Sequence, residues 1–156
     1  MKPILSLFLS IAIALSAGII GSLFTMTGVG SWYETIAKPE WNPPSWVFGP
    51  VWTTLYILMG VAAYRVWTRR AHPGAKRALR VYGIHLIFNA LWSLLFFGLQ
   101  SPGWALVEIL VLLCLIVATM RLFHRVDRVS MWLLAPYLLW VMFATVLTFS
   151  IWRLNG

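Results

Sequence analysis

The sequence predicts an all-α integral membrane protein, a bundle of five transmembrane helices forming a single domain over residues 1–156. Three observations carry that expectation. Of the 156 residues, 61% are hydrophobic and 10% charged, whereas soluble domains hold about 45–50% apolar and about 25% charged residues. Five nearly uncharged runs follow one another, at about 4–24, 46–64, 81–99, 104–120 and 131–152. Each approaches or reaches the roughly 17–25 residues a helix needs to cross the hydrocarbon core. The alternation of a barrel strand is absent, and unpaired backbone groups are prohibitively costly in lipid, so the runs must be helices.

The first run competes with a signal-peptide reading, because Met1-Lys2 precedes an apolar stretch and Ala14-Leu15-Ser16-Ala17 resembles a small-residue cleavage site. The apolar character continues through Ile19, Ile20, Leu23 and Phe24, too far for a signal core, and the run reads as a spanning helix. Ser10, Ala14, Gly18 and Ser22 recur every fourth residue, a small-residue stripe that lets another helix approach closely. The connection at about 25–45 holds Pro39, Pro43 and Pro44, which withhold backbone donors and bias their preceding residues away from the helix, so it reads as stiff and mostly extended. Gly49-Pro50 falls in the first turns of the second span, where proline is tolerated or kinks modestly. The remaining links, about 65–80, 100–103 and 121–130, are short and make consecutive helices antiparallel neighbours. Ser101-Pro102 and the run from Asp127 to Ser130 carry helix-start chemistry. An odd number of spans with no internal repeat disfavours a repeat-built transporter.

The formal net charge of +8 is not a nucleic-acid signature, because the charges are segregated. Lys2, the group Arg65, Arg69, Arg70, Lys76, Arg77 and Arg80, and the group Arg121, Arg125 and Arg128 all fall on one side of a five-span topology; only Lys38 and Arg153 fall on the other. The positive-inside rule then puts the N-terminus and both basic links in the cytoplasm, with a bacterial cell membrane as the setting. The basic links anchor topology and attract anionic lipid. Cys114 lies alone within the fourth span and reads as a small packing residue.

Between Trp32 and Tyr56 the chain concentrates four tryptophans, four prolines and two tyrosines. Trp46, Trp104, Trp132 and Trp152 lie near span ends, where indoles anchor to the membrane interface, and Trp67 among the arginines reads the same way. Trp52, Trp92 and Trp140 lie inside spans, with Trp32 and Trp41 in the adjoining loop, and together they suggest an aromatic cavity opening toward the loop. Asn89 sits near the middle of the third span, where an amide needs partners. His85, Asn89 and Trp92 share one helix face. His85 alone makes a weak metal ligand, and no metal site is expected. Glu108 reads as a snorkelling or hydrogen-bonded acid near the membrane boundary. No nucleotide loop or nucleophile–base pair is present, which disfavours standard side-chain catalysis.

Several motifs in order resemble the TspO/MBR family of tryptophan-rich sensory and translocator proteins. They are Trp32-Tyr33, Lys38-Pro39-Glu40-Trp41-Asn42-Pro43-Pro44, Phe48-Gly49-Pro50-Val51-Trp52-Thr53 with Leu55-Tyr56, Phe88-Asn89-Ala90-Leu91-Trp92, and Pro136-Tyr137-Leu138-Leu139-Trp140 leading to Phe143-Ala144-Thr145. The resemblance covers nearly the whole chain. It implies a five-helix bundle, often a homodimer, that binds porphyrins such as protoporphyrin IX or haem, benzodiazepine-site drugs and, in mitochondrial members, cholesterol. Its pocket would use Tyr33, Trp41, Trp52, Asn89, Trp92, Trp140, Phe143 and Ala144, with the loop as a lid. The resemblance also leaves open light- and oxygen-dependent porphyrin breakdown, for which Trp52 and Trp140 are the candidate catalytic residues, and tetrapyrrole or sterol transport. The family's proposed cholesterol motif requires a tyrosine where this chain has Phe149, which ranks a tetrapyrrole above a sterol here.

Overall fold

The structure is a computed structural model and describes residues 3–29 and 32–156, with side chains omitted for 27–29; Lys2 lies outside the described residues. Every described element is helical: α1 Pro3–Val29, α2 Trp32–Thr35, α3 Ser45–Thr68, α4 Ala75–Ser93, α5 Pro102–Val126, α6 Arg128–Leu133 and α7 Ala135–Asn155. A π-helical turn, Leu94–Gly98, extends α4. Five segments are long and apolar enough to cross a membrane: α1, α3, α4 with its π turn, α5, and α6 with α7. Side-chain pairs show the up-and-down order. His85 meets Thr119 and Tyr82 meets Phe123 across α4 and α5, so numbers rise on one helix as they fall on the other.

The helices outrun the apolar runs that reveal them. α3 continues to Thr68 rather than ending near 64, α4 starts at Ala75 rather than 81, and α5 reaches Val126 rather than 120. Apolarity reports the hydrocarbon core, whereas Arg65, Lys76, Arg77, Arg80, Arg121 and Arg125 are good helix formers that keep winding beyond it. The 25–45 connection is also less extended than its prolines suggest. α1 runs to Val29 and Trp32–Thr35 makes a helical turn, because proline restricts only the residue immediately before it. The fifth span is not continuous either: it breaks at Leu134 between α6 and α7. Pro136 has no N–H to give the Trp132 carbonyl, which opens the winding there.

Small residues bring α1 against α3. Ala14 is fully buried, and a Cβ on Gly60 would lie 2.5 Å from the Ile11 Cα. The Ser10 hydroxyl donates to the Gly60 carbonyl at 2.7 Å, and Gly18 lies directly under the Tyr56 ring. Cys114 is exposed on the outside of the bundle, so it is not the packing residue expected. Trp46, Trp104, Trp132 and Trp152 are all exposed near helix ends, as interface anchors require.

At the basic end, Asp127 ties three elements together. Its carboxylate accepts from Arg65 Nε at 2.7 Å and pairs with Arg69 Nη2 at 3.2 Å. It also caps α6, accepting from the Ser130 N–H at 3.2 Å and hydroxyl at 2.6 Å. Burial alone would raise its pKa, but hydrogen bonds from Arg65 and Ser130 and the charges of Arg65 and Arg69 prevail, holding it at about 2, below the ordinary 3.8. A folded-state pKa below the unfolded one stabilises fully above the ordinary value and is lost as pH falls through about 2. Asp127→Asn is therefore expected to lose about 1–2 kcal/mol at neutral pH, mainly cap and ion-pair energy. Thermal melts in detergent should show the wild-type advantage disappearing between pH 4 and 2. An equal advantage at both ends of that window would refute the assignment.

Candidate ligand pocket

At the end of the bundle opposite the basic links, α1, α3, α4 and α7 diverge around a cavity of about 600 Å³. Its walls are aromatic. Phe48 and Trp52 come from α3, Trp92 from α4, Phe96 and Phe97 from the π turn, and Trp140 from α7, with Tyr33 of α2 above. Each is held by its neighbours: Trp92 stacks on Phe96 at 5.0 Å, Phe96 meets Phe97 edge-on at 4.8 Å, and Phe48 meets Trp140 edge-on at 5.8 Å. Trp52 stacks on Tyr56 at 5.5 Å. The indole N–H groups of Trp92 and Trp140 are inaccessible and have no protein partner. Trp92 and Trp140 therefore offer the cavity ring carbon rather than indole donors.

Among the described residues the one side-chain amide of the lining is Asn89, held in a hydrogen-bonded cluster; the other polar lining groups are hydroxyls, among them Ser22, Thr25, Thr53 and Thr148. The Tyr56 hydroxyl donates to the Asn89 amide oxygen, and the Asn89 amide N–H donates to the Tyr137 hydroxyl at 3.0 Å. This pattern satisfies the amide anticipated at mid-span and links α3, α4 and α7. Asn89 and Tyr56 line the cavity. No charged side chain lines it among the described residues.

Of the eight sequence-predicted pocket residues, Tyr33, Trp52, Asn89, Trp92, Trp140 and Ala144 line the cavity. Trp41 and Phe143 do not. Trp41 meets Phe143 edge-on at 5.8 Å, and Phe143 lies 5.3 Å from Trp140, so this pair buttresses the Trp140 wall. Phe96 and Phe97 carry no sequence signal for the site, because a regular helix points adjacent residues about 100° apart. The wider π turn, closed by Leu99 N–H to the Leu94 carbonyl at 2.7 Å, brings both rings into the interior, and such turns recur at functional sites.

His85 lies outside the cavity lining. It is fully buried, with Nδ1 3.2 Å from the Thr119 hydroxyl. That hydroxyl already donates to the Leu115 carbonyl at 2.8 Å, which assigns the proton to His85 Nδ1. Among the described residues no cluster of three or more His, Cys, Asp or Glu is present. Glu108 does not snorkel: it is buried outside the cavity lining, and neither oxygen has a protein partner.

Five apolar spans around an aromatic, uncharged cavity with one amide anchor define a multi-pass helical membrane protein with an internal pocket. Residues 10–153 match the TspO/MBR family, and the chain belongs to that family. It is 44% identical to the tryptophan-rich protein TspO of Chlorobaculum tepidum, over 99% of this chain and 98% of that one. It is 43% identical to the tryptophan-rich sensory protein of Cereibacter sphaeroides, over 80% and 77%. To the human translocator protein it is 39% identical, over 87% and 82%.

Proposed function

We propose that this protein is a membrane receptor or sensor that binds a porphyrin or related tetrapyrrole in the aromatic cavity, with its basic end in the cytoplasm. The observation that carries the reading is the wall chemistry. Eight aromatic side chains line a space of about 600 Å³, within the range of about 300–1,000 Å³ typical of small-molecule sites. A flat macrocycle would stack on Trp52, Trp92 and Trp140 and bury its apolar faces, while the Asn89 cluster offers an amide contact deep in the cavity. The relatives' names, tryptophan-rich sensory protein and translocator protein, support a receptor-type role. A sterol fits less well: Phe149, where the proposed sterol motif needs tyrosine, is exposed on the outside of α7.

Titration of protoporphyrin IX into detergent-solubilised protein should quench tryptophan fluorescence saturably. Trp140→Ala removes a wall face and is expected to weaken binding by about tenfold or more, as loss of a buried aromatic contact commonly does. Trp104→Phe, on the outside of the bundle, should bind as the wild type does. Identical affinities for Trp140→Ala and wild type would remove the pocket assignment.

A further inference from the structure

We propose that the cavity is loaded from the side, out of the bilayer, through a mouth between α1 and α3, so that its occupant is an amphiphile already dissolved in the membrane. The inference rests on the reading of the cavity as a ligand site and adds the route and the physical state of the ligand.

The mouth follows from how α1 is packed. Over its first half α1 lies tightly on α3, through Ile11 on Gly60 and Gly18 under Tyr56. Beyond Gly18 it turns to α4 instead, with Gly21 against Ser93 and Phe24 against Gly98. The space left between α1 and α3 is the cavity. Ile19 and Met26 of α1 line it and yet are 62% and 77% exposed. Side chains that both line an internal cavity and lie on the outer surface mark where it opens.

Along α1 and at Thr53 the chemistry of the rim suits lipid rather than water. The hydroxyls of Ser22, Thr25 and Thr53 each donate to a carbonyl of their own helix, at 2.7, 3.2 and 2.9 Å. Their donors are spent, and an apolar body can slide past without stranding a polar group. A Cβ on Gly49, also at the rim, would meet nothing within 4 Å. With no cation in the lining, carboxylates on a ligand would stay at the mouth, among the lipid headgroups.

The loop end, by contrast, is fastened. Asn155 exchanges two hydrogen bonds with the Ala37 backbone, both 2.9 Å. Lys38 Nζ donates to the Tyr33 and Ile36 carbonyls at 2.6 and 3.0 Å, and the Tyr33 hydroxyl donates to Asn42 at 2.8 Å. Buried Tyr33 rests on Phe96 and Phe97 beneath. The bonds of Lys38 and Tyr33 stiffen the loop from within, and the Asn155 pair fastens it to α7, so the loop is a pinned roof rather than a swinging lid: opening it would break both Asn155–Ala37 bonds and lift Tyr33 off Phe96 and Phe97.

The test compares exchange rates with affinities for protoporphyrin IX delivered from lipid vesicles to protein in proteoliposomes. Gly49→Trp, placed where space is open, should slow association and dissociation by about tenfold or more with a much smaller change in Kd, as a blocked entrance does. Met26→Ala widens the rim without touching the core and should speed exchange. Asn155→Ala unpins the roof and should leave exchange from vesicles unchanged. Wild-type exchange in both Gly49→Trp and Met26→Ala, or acceleration by Asn155→Ala alone, would overturn the side entrance. Absence of saturable binding to the wild type would instead sink the binding-site reading beneath it.

Discussion

Gly60→Val is expected to destabilise the bundle by about 3 kcal/mol, at the upper end of overpacking effects, and to disrupt the close contact between α1 and α3. A new Cβ at this position would lie 2.5 Å from Ile11 Cα and 3.0 Å from its nitrogen. Backbone is what stands in the way, and no rotamer change can clear it. The helices must separate, which also breaks the 2.7 Å bond from Ser10 to the Gly60 carbonyl. In lipid there is no hydrophobic force to pull them together again, since association depends on close packing and interhelical hydrogen bonds. Gly83 provides the matched control. A Cβ there meets nothing within 4 Å, so Gly83→Ala should gain about 0.5–1 kcal/mol from helix propensity alone. Apparent melting temperatures in one detergent would compare the two. A Gly60→Val protein melting with the wild type would show that the α1–α3 contact is looser than its geometry.

That contact also shows how far a sequence can be read. The stripe of Ser10, Ala14, Gly18 and Ser22 is visible in α1 because it repeats every fourth residue, but its partner Gly60 is a single glycine whose importance appears only when two helices are superposed in space. Ser22 shows the converse. It continues the stripe in sequence, yet α1 has left α3 by that point and Ser22 lines the cavity. Asn89, Trp92 and Trp140 could be singled out from sequence because polarity or bulk at mid-span demands an explanation. Phe96 and Phe97 could not, since a π turn changes which side chains face inward without leaving an apolarity signal. The motif around Trp41 implies a pocket contact, whereas the structure sets this residue one ring behind, against Phe143. A motif identifies residues that serve a site without separating those that line it from those that support the lining.

Asn89→Leu should carry the largest combined loss, because one amide serves both the fold and the pocket. It removes two interhelical hydrogen bonds, each worth about 0.6–2 kcal/mol in a membrane, and leaves the hydroxyls of Tyr56 and Tyr137 facing an apolar side chain. A stranded hydroxyl costs more than the bond it made, so the expected destabilisation is about 2–4 kcal/mol. Tyr137 is fully buried and Tyr56 nearly so, which leaves little water to rescue either. The polar anchor of the cavity disappears with the same change, and protoporphyrin IX affinity should fall by about tenfold, the equivalent of about 1.4 kcal/mol. Tyr137→Phe separates the two effects. It breaks only the 3.0 Å bond to Asn89, at a residue outside the cavity lining, so it should lower the melting temperature while affecting affinity less. A cycle of Asn89→Leu with Tyr137→Phe should be markedly non-additive, since each change removes the same bond. Additive losses of stability would show that the amide does not couple the helices as its two hydrogen bonds imply, and an Asn89→Leu protein with wild-type affinity would remove the amide from the proposed ligand contact.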